Sequence, residues 1–118
     1  SVLMIEILTH IGRSGIVERG CFVQGKELLA STFTEEHKKY ENIARQAFNY
    51  VFLNVAKSGA KHKEAHLEIG EKRLSAFVVG KNLLLICMSS KGESVLKVRE
   101  QARNALIELR RIQAKSGS

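Results

Sequence analysis

Residues 34–58, TEEHKKYENIARQAFNYVFLNVAKS, form the longest unbroken pattern in the chain, and the other segments have to be arranged around it. The apolar residues Tyr40, Ile43, Ala44, Ala47, Phe48, Val51, Phe52 and Val55 recur at three- and four-residue steps, the spacing that collects side chains on one face of an α-helix. Thr34 is placed to cap the start, with Glu35 and Glu36 near the positive end of the helix dipole, Lys57 near the negative end and Gly59 as a stop. At about 100° per residue, the stripe covers roughly half the circumference, and Tyr50 widens its edge. A helix resting on one sheet needs a stripe only a little over about 100° wide. The surplus implies a second packing partner, either another element of this chain or a second copy of it.

The chain has 118 residues, enough for one domain that buries a core without disulfides or a metal. Residues 1–115 read as that single domain and 116–118, Ser-Gly-Ser, as a flexible tail. No apolar run approaches the roughly 20 residues that span a bilayer. Cys21 and Cys87 both sit in apolar runs, without a Cys-x-x-Cys spacing. They read as buried thiols of a reduced, cytoplasmic protein. The net charge of +7 raises nucleic acid or an acidic membrane as partners. Against this, the basic residues are dispersed among acidic ones, and no aromatic residues interleave with a basic cluster as a base-stacking platform requires. Solubility accounts for the charge.

In order along the chain, residues 2–12 fit both periods, and a helix is preferred, with Leu3, Met4, Ile7, Leu8 and Ile11 on its packing face and Glu6 and His10 opposite. The glycines of residues 12–15 break it. Residues 19–24 and 27–31 are short apolar runs flanking Gly25-Lys26, the pattern of a hairpin. After the long helix, residues 59–63 make a loop bearing lysine and histidine. Residues 64–69 alternate Ala65, Leu67 and Ile69 with Glu64, His66 and Glu68, giving one dry and one wet face. Turns at Gly70-Glu71 and Gly80-Lys81 bound a strand over 72–79. Residues 82–88 are apolar on both faces, which predicts a central strand covered by helices on both sides. A last helix over 93–114 has a stripe of ordinary width, built from Val95, Val98, Ala102, Ala105, Leu106, Leu109 and Ile112. The order α-β-β-α-β-β-β-α predicts an α+β domain with a five-stranded antiparallel sheet between helices.

Chemistry-bearing motifs are few. No nucleotide-binding loop, nucleophile elbow or paired-histidine metalloprotease motif occurs, so no catalytic residue, metal or cofactor is assigned and a non-enzymatic protein is expected. His62, Glu64, His66 and Glu68 share one face of a strand at two-residue spacing and include zinc-ligand types. The preferred reading is a solvated edge whose charges discourage unwanted pairing. His10 and His37 stand isolated. On the last helix Arg99, Arg103 and Arg110 share a sector with Leu96 and Ile107. Such a face suits an acidic protein surface, a phosphate backbone or anionic lipid.

The element order and two stretches, RGCFVQGKELLAS before the long helix and HLEIGEKRLSAFVVGKNLLLICMSSKG after it, resemble the roadblock/dynein light chain family within the roadblock/longin-like superfamily. The first hairpin, Gln24-Gly25-Lys26, lacks the acidic residue common in that family. The resemblance implies a homodimer, or a heterodimer with a related roadblock chain. The long helices and the following strands would meet across a two-fold axis, using Tyr40, Ile43, Ala47, Phe48, Val51, Phe52, Leu67 and Ile69. On that view Phe48→Glu weakens assembly. It further implies a scaffold, adaptor or regulator of a small Ras-like GTPase, reaching membranes only indirectly. A basic nucleic-acid-binding module using the last helix and a profilin-like actin binder are the alternatives.

Overall fold

The computed structural model describes residues 1–59 and 61–116. Its elements are α1 (Val2–Gly12), β1 (Arg19–Gln24), β2 (Glu27–Ser31), a 3-10 turn (Glu35–His37), α2 (Lys38–Ser58), β3 (Glu64–Ile69), β4 (Lys72–Gly80), β5 (Leu83–Ser90) and α3 (Val95–Ser116). The strands form one antiparallel sheet in the order β2-β1-β5-β4-β3. β5 is therefore central, as its two-sided apolar text predicts, and its residues are buried from Leu83 to Ser89. Helix α2 covers one face, while α1 and α3 pack together on the other.

Side-chain alternation along the strands divides the core into two layers. Phe22, Phe77, Leu85 and Cys87 face α1 and α3, where Ile7, Leu8, Val98, Ala102 and Leu109 meet them. Cys21, Leu74, Ala76, Ile86 and Met88 face α2, where Ala44 and Phe48 close the layer. A register shift between Phe22 and Val23 leaves Leu29 as an extra residue on β2. This bulge turns both Leu29 and Ala30 toward the α1 layer, while Leu28 stays on the α2 side. Gly20 allows α1 its close approach, because a Cβ there would lie 3.1 Å from Leu8 Cδ2 and 3.3 Å from the Ile86 carbonyl oxygen.

Several expectations need correction at the element ends. Thr34 is extended and makes no side-chain cap; its carbonyl accepts from His37 N–H at 3.0 Å, so the entry to α2 is a 3-10 turn. The stop is as expected, with Gly59 left-handed at φ 78°. In α1, Ser1 caps the helix through Met4 N–H, and Ile7, Leu8 and Ile11 are buried. Leu3, however, is 45% exposed, because the packing face is narrower than its apolar text. The β4–β5 turn is Lys81-Asn82 rather than Gly80-Lys81, since Asn82 takes the positive φ of 54° that asparagine tolerates. Helix α3 starts at Val95, two residues later than expected, and continues through Ser116, so the expected tail begins inside a helix; residues 117–118 lie outside the described residues. Ala60 of the expected 59–63 loop also lies outside them.

Candidate interaction surfaces

Helix α2 buries only part of its wide stripe. Ala44 and Phe48 face the sheet, fully buried, and Tyr40, Phe52 and Val55 are half-buried beside them. Ile43 is 41% exposed, Val51 38% and Tyr50 70%. At about 100° per residue, Tyr50, Ile43, Ala47 and Val51 make one contiguous sector next to the buried one. On the opposite flank, Arg45 Nη2 donates to the Lys26 carbonyl in the β1–β2 turn at 2.9 Å. That bond puts the Arg45 flank of α2 beside the β1–β2 hairpin, and the uncovered sector lies on the flank away from it.

Strand β3 is an edge, with no neighbour on its outer side among the described residues. Its Ala65, Leu67 and Ile69 lie in the α2 layer and remain half-buried. Of the eight residues assigned to self-association from the sequence, Ile43 and Val51 are exposed, while Tyr40, Ala47, Phe52, Leu67 and Ile69 are half-covered. Phe48, only 2% exposed, belongs to this chain's own core. Phe48→Glu would therefore damage the fold rather than report on assembly.

The polar side of β3 is built into the molecule more firmly than a solvated edge. Arg99 of α3 donates from Nε to Glu64 Oε1 at 2.7 Å and from Nη2 to Oε2 at 2.8 Å. The hydrogen bonds from Arg99 hold the Glu64 carboxyl well below its usual 4.5, at about 2, helped by His66 against the opposing effect of burial. His66 lies 2.7 Å from Glu64 Oε2 and 2.8 Å from Ser75 Oγ, with its ring edge on Phe77. Both oxygens of Glu64 thus have partners within the chain, and no group of three or more metal-ligand side chains occurs among the described residues.

This network changes the reading of the α3 arginines. Arg99 is tied to β3, whereas Arg103 and Arg110 are exposed, with Leu96 at 71% and Ile107 at 51% exposure along the same outer face. His10, expected to stand alone, lies 3.3 Å from Glu108, joining α1 to α3. His37 is half-buried and stacks at a tilt on Tyr40.

Two polar anchors escaped the sequence reading. Glu41 is 1% exposed inside the α2 layer, accepting from Lys38 Nζ at 2.9 Å and from Ser31 Oγ, which itself accepts from Phe33 N–H at 3.0 Å. The signal was its spacing, since Glu41, Ala44 and Phe48 follow the buried rhythm of the helix. Arg73, 9% exposed, donates to the Lys91 carbonyl at 2.9 Å, to the Glu93 carbonyl and to Glu68 Oε2 at 3.2 Å, holding the segment that leads into α3. An arginine within a strand gives no sequence signal for carbonyls almost twenty residues away.

One long helix on one face of a five-stranded antiparallel sheet, with the first and last helices on the other, defines the roadblock/longin class of α+β domains. Within that class, the chain has the roadblock/LC7 fold. It superposes on MglB of Myxococcus xanthus with a TM-score of 0.78 at 15% identity, over 97% of this chain and 90% of that one. The gliding protein MglB of Thermus thermophilus gives 0.71 at 15% identity, over 96% and 90%. A roadblock/LC7 domain of Streptomyces avermitilis gives 0.76 at 6% identity, over 93% and 97%. No family model and no curated protein sequence matches the chain.

Proposed function

We propose that this chain is a non-enzymatic, cytoplasmic module that pairs with a second copy of itself, or with a related chain, and in that form binds and regulates a small Ras-like GTPase. The observation that carries the reading is the uncovered apolar sector of α2, Ile43, Tyr50 and Val51, on the side of the helix away from the β1–β2 hairpin, in a domain whose edge strand β3 is free and half-covered. An apolar surface of this kind marks an interaction site, and a free strand edge favours pairing with another strand. The likeness of the whole chain to MglB and to roadblock/LC7 domains supports the same reading.

Sedimentation at tens of micromolar tests the pairing. The wild type is expected to sediment as a dimer, and Ile43→Glu combined with Val51→Glu as a monomer that keeps the far-UV circular dichroism of a folded chain, with a midpoint lowered by the lost association. A wild-type monomer would remove self-pairing and leave only pairing with a related chain. Pull-downs of small GTPases from the same organism, in GDP and in GTP, test the partner, and capture that ignores both nucleotide state and dimer status would count against regulation. The nucleic-acid alternative loses Arg99 to its pairing with Glu64. It would still show a steep fall in affinity with added salt. An actin polymerisation assay separates the profilin-like alternative.

A further inference from the structure

Between the C-terminal half of α2 and the end of the sheet that carries the β1–β2 and β4–β5 turns lies an open groove of about 520 Å³. Its size is that of a small-molecule site, about 300–1,000 Å³. Phe52, Val55, Val78 and Leu84 form an apolar lining, with Leu53 and Ala56 further along the helix. Around it stand Lys26 from the β1–β2 turn and Lys61, His62 and Lys63 from the segment entering β3, all exposed. No aspartate or glutamate is among the described lining residues, and none of these four side chains pairs with an acid among the described residues.

The chemistry of this groove is an apolar surface with unneutralised positive charge around it. Four carbonyls at its rim have partners within the chain. The Lys26 carbonyl accepts from Arg45 at 2.9 Å, the Asn82 carbonyl from Gly25 N–H at 3.1 Å, the Lys81 carbonyl from Gln24 Nε2 at 3.4 Å and the Lys63 carbonyl from Val78 N–H at 2.9 Å. A peptide laid here would bring backbone amides that need partners, and the two hairpin turns offer no open ladder for them. An aliphatic chain brings none, and an anionic head would find the lysines. We propose that this groove binds a single-chain anionic amphiphile, its tail against Phe52 and Leu84 and its head among Lys26, Lys61 and Lys63. Arg45 ties the groove flank of α2 to the β1–β2 turn, opposite the Ile43–Tyr50 sector. The site therefore stands independently of the dimer and GTPase reading.

The test is a titration of the isotope-labelled full chain, followed by backbone amide shifts, with dodecanoate, dodecyl phosphate and the neutral dodecyl maltoside, each below its micelle concentration. Saturable shifts centred on Phe52, Leu53, Val78 and Leu84 are expected for the two anions, with affinity about tenfold above that for the neutral chain. The tighter of the two identifies the head group. Lys61→Glu combined with Lys63→Glu should remove the preference for anions. Leu53→Ser, at a position 57% exposed and so compatible with the fold, removes apolar contact without adding charge and should weaken all three ligands. The proposal falls if the groove amides do not move, if the neutral chain binds as well as the anions, or if the shifts centre on Ile43 and Tyr50. It also falls if the folded double variant binds the anions like the wild type.

Discussion

Glu41 and Glu64 are carboxylates held by hydrogen bonds in different settings, and their substitutions should behave differently. Glu41→Ala leaves a void in the α2 layer and deprives Ser31 of its acceptor, while the half-exposed Lys38 returns to water. A loss of about 1–3 kcal/mol is expected, read as a lower urea midpoint at unchanged slope. Glu64 acts through its ionised form. Because its folded-state value of about 2 lies below the ordinary 4.5, the unfolded chain binds the proton more readily. Its contribution is complete above pH 4.5 and fades as the pH falls toward 2. The stability gap between wild type and Glu64→Gln should therefore be constant near neutrality and close across that acid window. A gap independent of pH would contradict the ionic role of the Arg99 pairing.

At the scale of elements, α2 separates its own stability from its surface. Phe48→Ala removes a fully buried ring between α2 and the sheet and is expected to cost about 3–5 kcal/mol, measured by chemical denaturation. Tyr50→Ala, two residues on and 70% exposed, should leave the folding energy of the isolated chain nearly unchanged. The same helix carries both results because its stripe is wider than the sheet can cover. Most of each element was legible in the sequence: the strand bounds 19–24, 27–31 and 64–69 agree with the structure residue for residue. The misreadings sit at ends, where one residue's backbone freedom decides. Asn82 moved a turn by one position, and Thr34 gave up its capping role to a 3-10 turn.

For the molecule as a whole, the two cysteines report on global opening. Cys21 lies in the α2 layer and Cys87 in the layer beneath α1 and α3, both without exposed surface. Burial pushes the Cys87 thiol up to about 12 and raises Cys21 as well, with Glu41 adding to the effect on Cys21. Neither should react with iodoacetamide at pH 8 while the chain is folded. Both should be alkylated at one shared rate that follows the unfolded fraction across a urea series, measured by mass spectrometry. Faster labelling of one thiol would show that its layer opens separately.

Apolar periodicity determined the element types, their order and the central place of the strand expected over 82–88 and found over 83–90, because burial on one or two faces is written directly in the spacing of side chains. It also showed that α2 had more apolar surface than one sheet can cover. What it could not supply was the rotation of that helix, which placed Phe48 inside and Tyr50 outside. In the folded chain that rotation brings Arg45 to the Lys26 carbonyl and Glu41 to Ser31. The pairing of Arg99 with Glu64, and the convergence of Lys26 with residues 61–63 around one groove, likewise exist only once the sheet closes. They join residues distant in the chain, and no local spacing encodes such a meeting.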